Sequence, residues 1–447
     1  MAGPQAAGVP GKFTTGSTMR HVVTMTATGS VGLVAVFVVD ALNLFYISLL
    51  GVQELAAAIG FASTLLFFIH SISIGLSIAA SALVSRSLGR GDRASAASYG
   101  GVSMVYMGLS IGALSLIAWP FCEVLLHAVG ARGETLALAT GFMQIVLPSS
   151  PLIALGMGAS AIMRGVGDAR RAMFITLSSA IVAAVLDPLL IFGLGMGLDG
   201  AAWSTVLCRF VMIAVGLHGA HVVHRLVRLP DRATLLSAAR PYFAIGIPSV
   251  LTGVATPIGN VYVTYEIARF GDEAIAGWAI IGRILPVAFA AVFALSGSVG
   301  PIFGQNLGAR LYDRVYMTLR DSMIFMLVYV LAVWALLALF AGQLAGLFGG
   351  AGEARELILF FCWFAAGSFL FNGAMFVAQA AFNNLGFPGY STLFNWGRST
   401  VGTIPFVWAG ASWWGAPGAI AGWAAGAVIF GMAAVAVAFR VVRRIGD

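Results

Sequence analysis

Charge is scarce in this chain: Asp, Glu, Lys and Arg make up 9% of its 447 residues, against 60% hydrophobic residues. Hydropathy that high along the whole length exceeds what a soluble core needs, so an integral membrane protein is expected. Cysteine is almost missing. Cys122, Cys208 and Cys362 are far apart and odd in number, which argues against a disulfide framework and a Cys-based metal site; they read as packing residues. The opening MAGPQAAGVPGKFTTGSTMR lacks the charged-then-apolar layout of a cleavable signal peptide and reads as a tail. No Walker lysine motif is present, which removes intrinsic ATP hydrolysis, and no clustered His/Asp/Glu set favours an enzyme. GMGLDG (Gly195 to Gly200) fits G-x-G-x-x-G but follows an apolar helix where a dinucleotide site needs a strand, so it reads as a turn. His218, His221 and His224 recur every three residues and read as an interfacial helix face rather than a metal site. Neither a metal nor a cofactor is expected.

What is present is a series of apolar runs. A spanning helix needs about 20 such residues, and cutting at Gly, Pro and charge clusters gives runs near 22–50, 55–85, 94–119, 135–160, 171–195, 200–225, 242–270, 273–305, 315–340, 354–381, 389–412 and 416–440. Basic residues orient them, because short loops rich in Lys and Arg stay in the cytoplasm. With both termini inside, eighteen of the 24 basic residues fall on inner loops and tails, and only Arg132, Arg269 and Arg355 outside. The expected location is the cell inner (plasma) membrane. The net charge of +7 is then a topology signal, and nucleic acid is not an expected partner.

The chain is written twice. DALNLFYISLLGVQELAAAIGFA from Asp40 is answered by NVYVTYEIARFGDEAIAGWAIIG from Asn260, and Gly51 and Gly271 stand 220 apart. Leu88-Gly89 pairs with Leu307-Gly308 and Gly167 with Gly386 at 219, Gly200 with Gly418 at 218. The fold expected is all-α, twelve transmembrane helices in two six-helix bundles related by a pseudo-twofold axis along the membrane normal. Its parts are a cytoplasmic tail 1–21, lobes 22–225 and 242–440, a cytoplasmic linker 226–241 holding a short interfacial helix, and a tail 441–447. Two bundles with a seam suit alternating access.

Several segments carry a family signature: Asp40 ahead of Leu50-Gly51 and Leu55-Ala56-Ala57, SRSLGRGD (Ser85 to Asp92), RGVGDARRA (Arg164 to Ala172), LDPLLIFGLGMGLDGAAWST (Leu186 to Thr205) and PIFGQNLGAR (Pro301 to Arg310). In this order and spacing, and over essentially its whole length, the chain resembles the multidrug and toxic compound extrusion (MATE) family, closest to its DinF-like branch. The resemblance implies export of amphipathic, often cationic compounds driven by inward flow of protons or sodium. It also places Asp40, Asp187 and Thr205 at the coupling positions of the first lobe. Two departures stand out. Ala183 occupies a position where an Asn is expected of a sodium-linked site, and helix 1 has no Pro upstream of its acid, leaving Gly29 and Gly32 as its weak points.

Depth places the acids without the family. Asp40 and Asp187 lie 11 and 8 residues below the outer ends of helices 1 and 5, or roughly 12–16 Å at the helical rise, so they can meet. Two carboxylates sharing a poorly solvated site resist ionising together, which suits one of them to carry a proton. Asn43 sits one turn from Asp40. Arg209, at similar depth and one turn below Thr205, is the rival: pointing inward it would neutralise Asp187 in a structural ion pair. Arg283 and Arg398 either line the second lobe's cavity or satisfy carbonyls at a helix break. In the second lobe Asn260 replaces Asp40, and Glu266 is read mainly as snorkelling to the outer interface. Gln144, Asn260, Asn372, Gln379 and Asn395 are candidates for a substrate cavity, with interhelical packing as the alternative for each.

The function expected is a secondary antiporter that takes a small-molecule substrate and works as a monomer in the lipid bilayer. Protons are favoured over sodium because Ala183 removes an oxygen ligand. A sodium-coupled exporter and a lipid-linked precursor flippase are the alternatives; a channel or membrane enzyme is a third class.

Overall fold

The computed structural model describes residues 11–347 and 352–446, so the first ten tail residues and Asp447 lie outside the described part. No strand occurs among the described residues. The helices are α1 (Thr18–Ser48), α2 (Gln53–Gly89), α3 (Arg93–Val129), α4 (Gly133–Val166), α5 (Ala169–Gly193), α6 (Gly197–Val223) and α7 (Arg232–Ala268). Then follow α8, in two pieces Asp272–Ala288 and Ala290–Gly308 bent by 47°, α9 (Tyr312–Leu339), and α10 in pieces Gly352–Trp363 and Phe369–Leu385. The last helical run breaks at Trp414 and at Gly415, whose φ is 65°, dividing it into α11 (388–414) and α12 (416–446). Each is long and apolar enough to span a bilayer once the broken helices are counted as single spans. The protein is a multi-pass membrane protein of twelve helices in two bundles.

Local chemistry explains the boundaries. The two motifs ending in Gly-Asp have the same form: Gly91 and Gly167 adopt positive φ, and the next residue caps a helix. Asp92 accepts from the Ser95 backbone N–H at 2.9 Å, and Asp168 from that of Arg171 at 3.1 Å, satisfying donors that the first turns of α3 and α5 leave open. The repeat survives in backbone conformation: Gly51 and Gly271 have φ 72° and 105°, and Gly167 and Gly386 have 90° and 100°. The fourth helix of each half is broken at the same level, by 3-10 turns at Leu147–Ser149 and Ala365–Ser368.

The link before α7 differs from expectation. It holds no separate interfacial helix. Residues 225–231 are non-helical and α7 begins at Arg232, because Asp231 caps it there by accepting from the Thr234 N–H at 2.9 Å. The link is pinned to α3: the Arg228 N–H donates to the Ala97 carbonyl, and Arg93 donates to the His224 carbonyl. His221 bonds the Val227 carbonyl and His224 meets Asp168, so two of the three histidines shape this link. Burial works against the charge on Asp168, but the bonds from Arg171 and His224 outweigh it and hold its carboxyl below the usual range. No three His, Cys, Asp or Glu side chains converge on a metal-sized site among the described residues.

The chain divides into two compact units, one holding Val31–Val250 and the other Lys12–Ser30 with the chain from Leu251 on. Helices α1 and α7 therefore each contribute one part to each unit. In the second unit the segment before α1 is tied down: Arg314 donates to the carbonyls of Phe13, Thr15 and Gly16, Gln305 accepts from the Phe13 N–H, and Thr18 bonds Asp321.

Candidate functional site

In the first unit the acids lie where α1, α5 and α6 meet. Asp187 is followed by Pro188, which has no N–H to give, and α5 continues as a wide π-turn over Leu189–Gly193. Gly200 of α6 packs directly on that turn: a Cβ there would stand 2.7 Å from the Leu190 carbonyl carbon. One turn further along α6 and one turn back along α5, this contact brings buried Ser204 beside Asp187. Asp187 is only 2% exposed. From α1, Asn43 donates its amide to the Asp187 carboxylate at 3.1 Å. Tyr46 packs edge-on against Phe192, with ring centroids 6.2 Å apart, fixing the same pair of helices a turn away.

Asp40 stands one turn along α1 from Asn43. Its side chain is exposed and, among the described residues, makes no hydrogen bond or ion pair, yet it is within electrostatic reach of Asp187. The pair is unequal. Asp187 is sequestered and held by an amide, whereas Asp40 is open. Proton exchange with water needs such an open group, and a buried partner gives its charge state a structural consequence. Ala183 is buried on α5 and supplies no oxygen.

Thr205 donates its hydroxyl to the Ala201 carbonyl of its own helix at 2.9 Å, and no hydrogen bond joins it to either acid among the described residues. Its neighbour Ser204, not singled out in the sequence, is the residue of α6 that lies beside Asp187, one turn past Gly200. Arg209 is buried but does not pair with Asp187. Its Nη1 donates to the Val146 carbonyl and the Ser149 hydroxyl, both at 2.8 Å, and to Ser150 at 3.3 Å, filling the break in α4. The break created the need: Pro148 and Pro151 interrupt the backbone ladder, and in a bilayer the freed acceptors require an internal donor. His70 on α2, not singled out in the sequence, lies within electrostatic reach of Arg209 and bonds the Leu66 carbonyl at 2.8 Å. Gln144 is exposed near the α3 turn at Trp119, beside a cavity of about 130 Å³ that it lines with Glu123 and Thr140.

The second unit has another character. Glu266 is buried and paired, accepting from Tyr262 at 3.0 Å and, toward the Gly271 turn, from exposed Arg269 at 2.8 Å. Asn395 is buried and donates to Thr256 at 3.2 Å, while Arg398 donates to Thr256 at 3.1 Å and to Asn395, joining α7 to α11. Asn372 and Gln379 are buried on α10, and the Gln379 Nε2 has no hydrogen-bond partner among the described residues. Asn260 and Arg283 are exposed, and neither side chain forms a hydrogen bond or ion pair among the described residues.

Comparison with known proteins identifies the family of this fold. The MatE family model matches residues 30–189 and 248–408, more than half of the chain and both repeats. An FAD transporter of Shewanella oneidensis is 29% identical over 351 residues, covering 76% of this chain and 77% of that protein. The multidrug export protein MepA of Staphylococcus aureus is 25% identical over 346 residues, 75% of each chain. The solved structure of the Vibrio cholerae MATE transporter VcmN superposes with a TM-score of 0.91 at 25% identity, covering 96% of this chain and 97% of that one. A family match across both halves, together with paired six-helix bundles of this form, leads to one conclusion: the chain belongs to the MATE family of multidrug and toxin efflux transporters.

Proposed function

We propose that this protein is a proton-coupled antiporter that exports amphipathic organic compounds, cationic ones included, by alternating access. It lies in the cell inner membrane with both termini in the cytoplasm, as the basic loops favour. One chain carries both halves, so a monomer suffices, and no cofactor takes part. The observation that carries the reading is the unequal pair in the first unit: open Asp40 beside buried Asp187, which the Asn43 amide holds.

Protonating Asp40 removes the repulsion between the two carboxylates and the drive to keep that end of α1 solvated. A change in α1 follows, and substrate is released outward as the proton is carried in. The similarity to MepA supports a multidrug substrate range, and the similarity to an FAD transporter extends the candidates to amphiphiles with anionic groups. Sodium is disfavoured because a bound alkali cation needs a cage of oxygens. Ala183 adds none, and Asn43 turns its N–H side toward Asp187.

The test is efflux of ethidium from proteoliposomes under an imposed pH gradient and, separately, a sodium gradient. Efflux driven by the pH gradient alone is expected; efflux driven only by sodium would replace the proton reading with the sodium one.

A further inference from the structure

We infer that the second unit carries an anion-recognition site for the transported compound, formed by Arg283 of α8 with Asn260 of α7, which receives a phosphate or carboxylate of an amphipathic substrate. The inference rests on the export function proposed above and assigns part of its specificity.

Arg283 lies 12 residues into α8 from the α7–α8 turn at Gly271, or about 18 Å at the helical rise, beyond the reach of an arginine side chain to that turn. A guanidinium at that depth is costly against lipid and is kept where it meets water or a partner. Among the described residues it has no partner, although the side chain is exposed. Buried Arg209, Arg398 and Asp187 all have bonded neighbours, and the other charge at depth that is exposed and unbonded among the described residues is Asp40, which the proposed function already uses.

On the side toward Gly271 the face beside Arg283 is unlike the lipid-facing ones. From Ile324 onward the exposed large side chains of α9 are Ile324, Leu327, Val328, Leu331, Leu336 and Leu339, with Ala332 and Ala335 between them. On α8 the exposed residues from Arg283 toward Gly271, as far as Ala276, are Ala276, Ala279 and Gly282, with Val287 exposed one turn the other way, and a Cβ on Gly282 would meet nothing within 4 Å. Small side chains leave the guanidinium standing in open space. The opposite face is fixed: Gly277 packs on Ala354 and Leu357 of α10, and Ile281 and Ile284 are buried, so Arg283 is held away from the core.

Asn260 lies 11 residues before the same turn on the neighbouring antiparallel helix, at the level of Arg283. The Trp278 indole N–H donates to the Thr264 hydroxyl at 3.0 Å, registering α7 against α8 about one turn nearer Gly271 than either residue. An exposed guanidinium and an exposed amide at one depth, both unbonded among the described residues, present N–H donors suited to an oxyanion.

The experiment measures binding of three flavins with one ring system, riboflavin, flavin mononucleotide and flavin adenine dinucleotide, and of ethidium, to the full-length protein in lipid nanodiscs. Variants are Arg283→Gln, Arg283→Lys and Asn260→Ala. The wild type is expected to bind the two phosphorylated flavins at least tenfold more tightly than riboflavin. Arg283→Gln should abolish that preference while changing riboflavin and ethidium binding less than threefold, Asn260→Ala should reduce it, and Arg283→Lys should restore part of it. The inference is overturned if the wild type shows no preference for the phosphorylated flavins, if Arg283→Gln keeps it, or if that variant loses all four probes together. Loss of the anion preference leaves pH-driven ethidium efflux intact, whereas failure of that efflux with the preference intact would sink the transport reading alone.

Discussion

Arg209→Gln, combined with Asp187→Asn, separates two roles for the one arginine buried near the coupling acids. In the structure its guanidinium serves the α4 break through bonds at 2.8, 2.8 and 3.3 Å. A hydrogen bond to a charged group contributes about 1.5–3 kcal/mol. The Val146 carbonyl retains the Ser149 hydroxyl at 2.7 Å after the substitution, and removing a buried charge returns several kcal/mol of desolvation. The expected net loss is on the order of 1–3 kcal/mol. Were Arg209 instead the ion-pair partner of Asp187, either single change would cost about 3–5 kcal/mol and the second would add little, giving a coupling of similar size. None of the ion pairs among the described residues contains Arg209, so the double-mutant cycle should give a coupling below about 1 kcal/mol. Unfolding in detergent, followed by tryptophan fluorescence, measures the four corners. A coupling above about 2 kcal/mol would refute the assignment of Arg209 to the helix break and revive a permanently neutralised Asp187.

Three further expectations concern the scaffold. Gly200→Ala places a Cβ 2.7 Å from the Leu190 backbone and should cost about 1–3 kcal/mol, whereas Gly141→Ala on α4, which meets nothing within 4 Å, should be neutral or stabilising by up to about 1 kcal/mol. Thermal unfolding distinguishes them, and equal effects would contradict the packing of α6 on the π-turn. Asp168→Ala removes the α5 cap and should cost about 1 kcal/mol. Because the carboxyl of Asp168 is held below its ordinary value in the folded chain, its contribution is complete above about pH 4 and fades as the pH falls further. The gap between wild type and Asp168→Ala should therefore stay constant from pH 7 to 5 and narrow only below about pH 4; narrowing already at pH 6 would contradict the sign. Arg314→Ala frees the carbonyls of Phe13, Thr15 and Gly16 and should speed proteolysis at Lys12 at least severalfold, and an unchanged cleavage rate would mean that other contacts hold the segment.

The twelve spans and their pairing into halves were legible because hydropathy and glycine placement are local: Gly51 and Gly271, or Gly167 and Gly386, announce the same turns in both repeats. Asp40 and Asp187 were legible for the same reason, as acids in apolar runs. What the sequence hid depends on contacts between helices. Thr205 entered through the family resemblance, and Ser204 went unnoticed because the offset of α6 on α5 is set by Gly200 meeting Leu190, which no spacing within one helix reveals. The destination of Arg209 was hidden because the need it meets arises from a break in α4, about sixty residues earlier. Glu266 was legible as an acid near the outer turn, but its pairing with Tyr262 and Arg269 on its own helix was not.

The central claim is that Asp40 exchanges a proton as substrate crosses. Proteoliposomes loaded with a pH-sensitive dye, held without a pH gradient and given an outward substrate gradient, measure it directly. Wild type should acidify the lumen in step with ethidium efflux, and Asp40→Asn should abolish that proton movement while still binding ethidium. Proton movement coupled to efflux in Asp40→Asn at the wild-type rate would contradict the account.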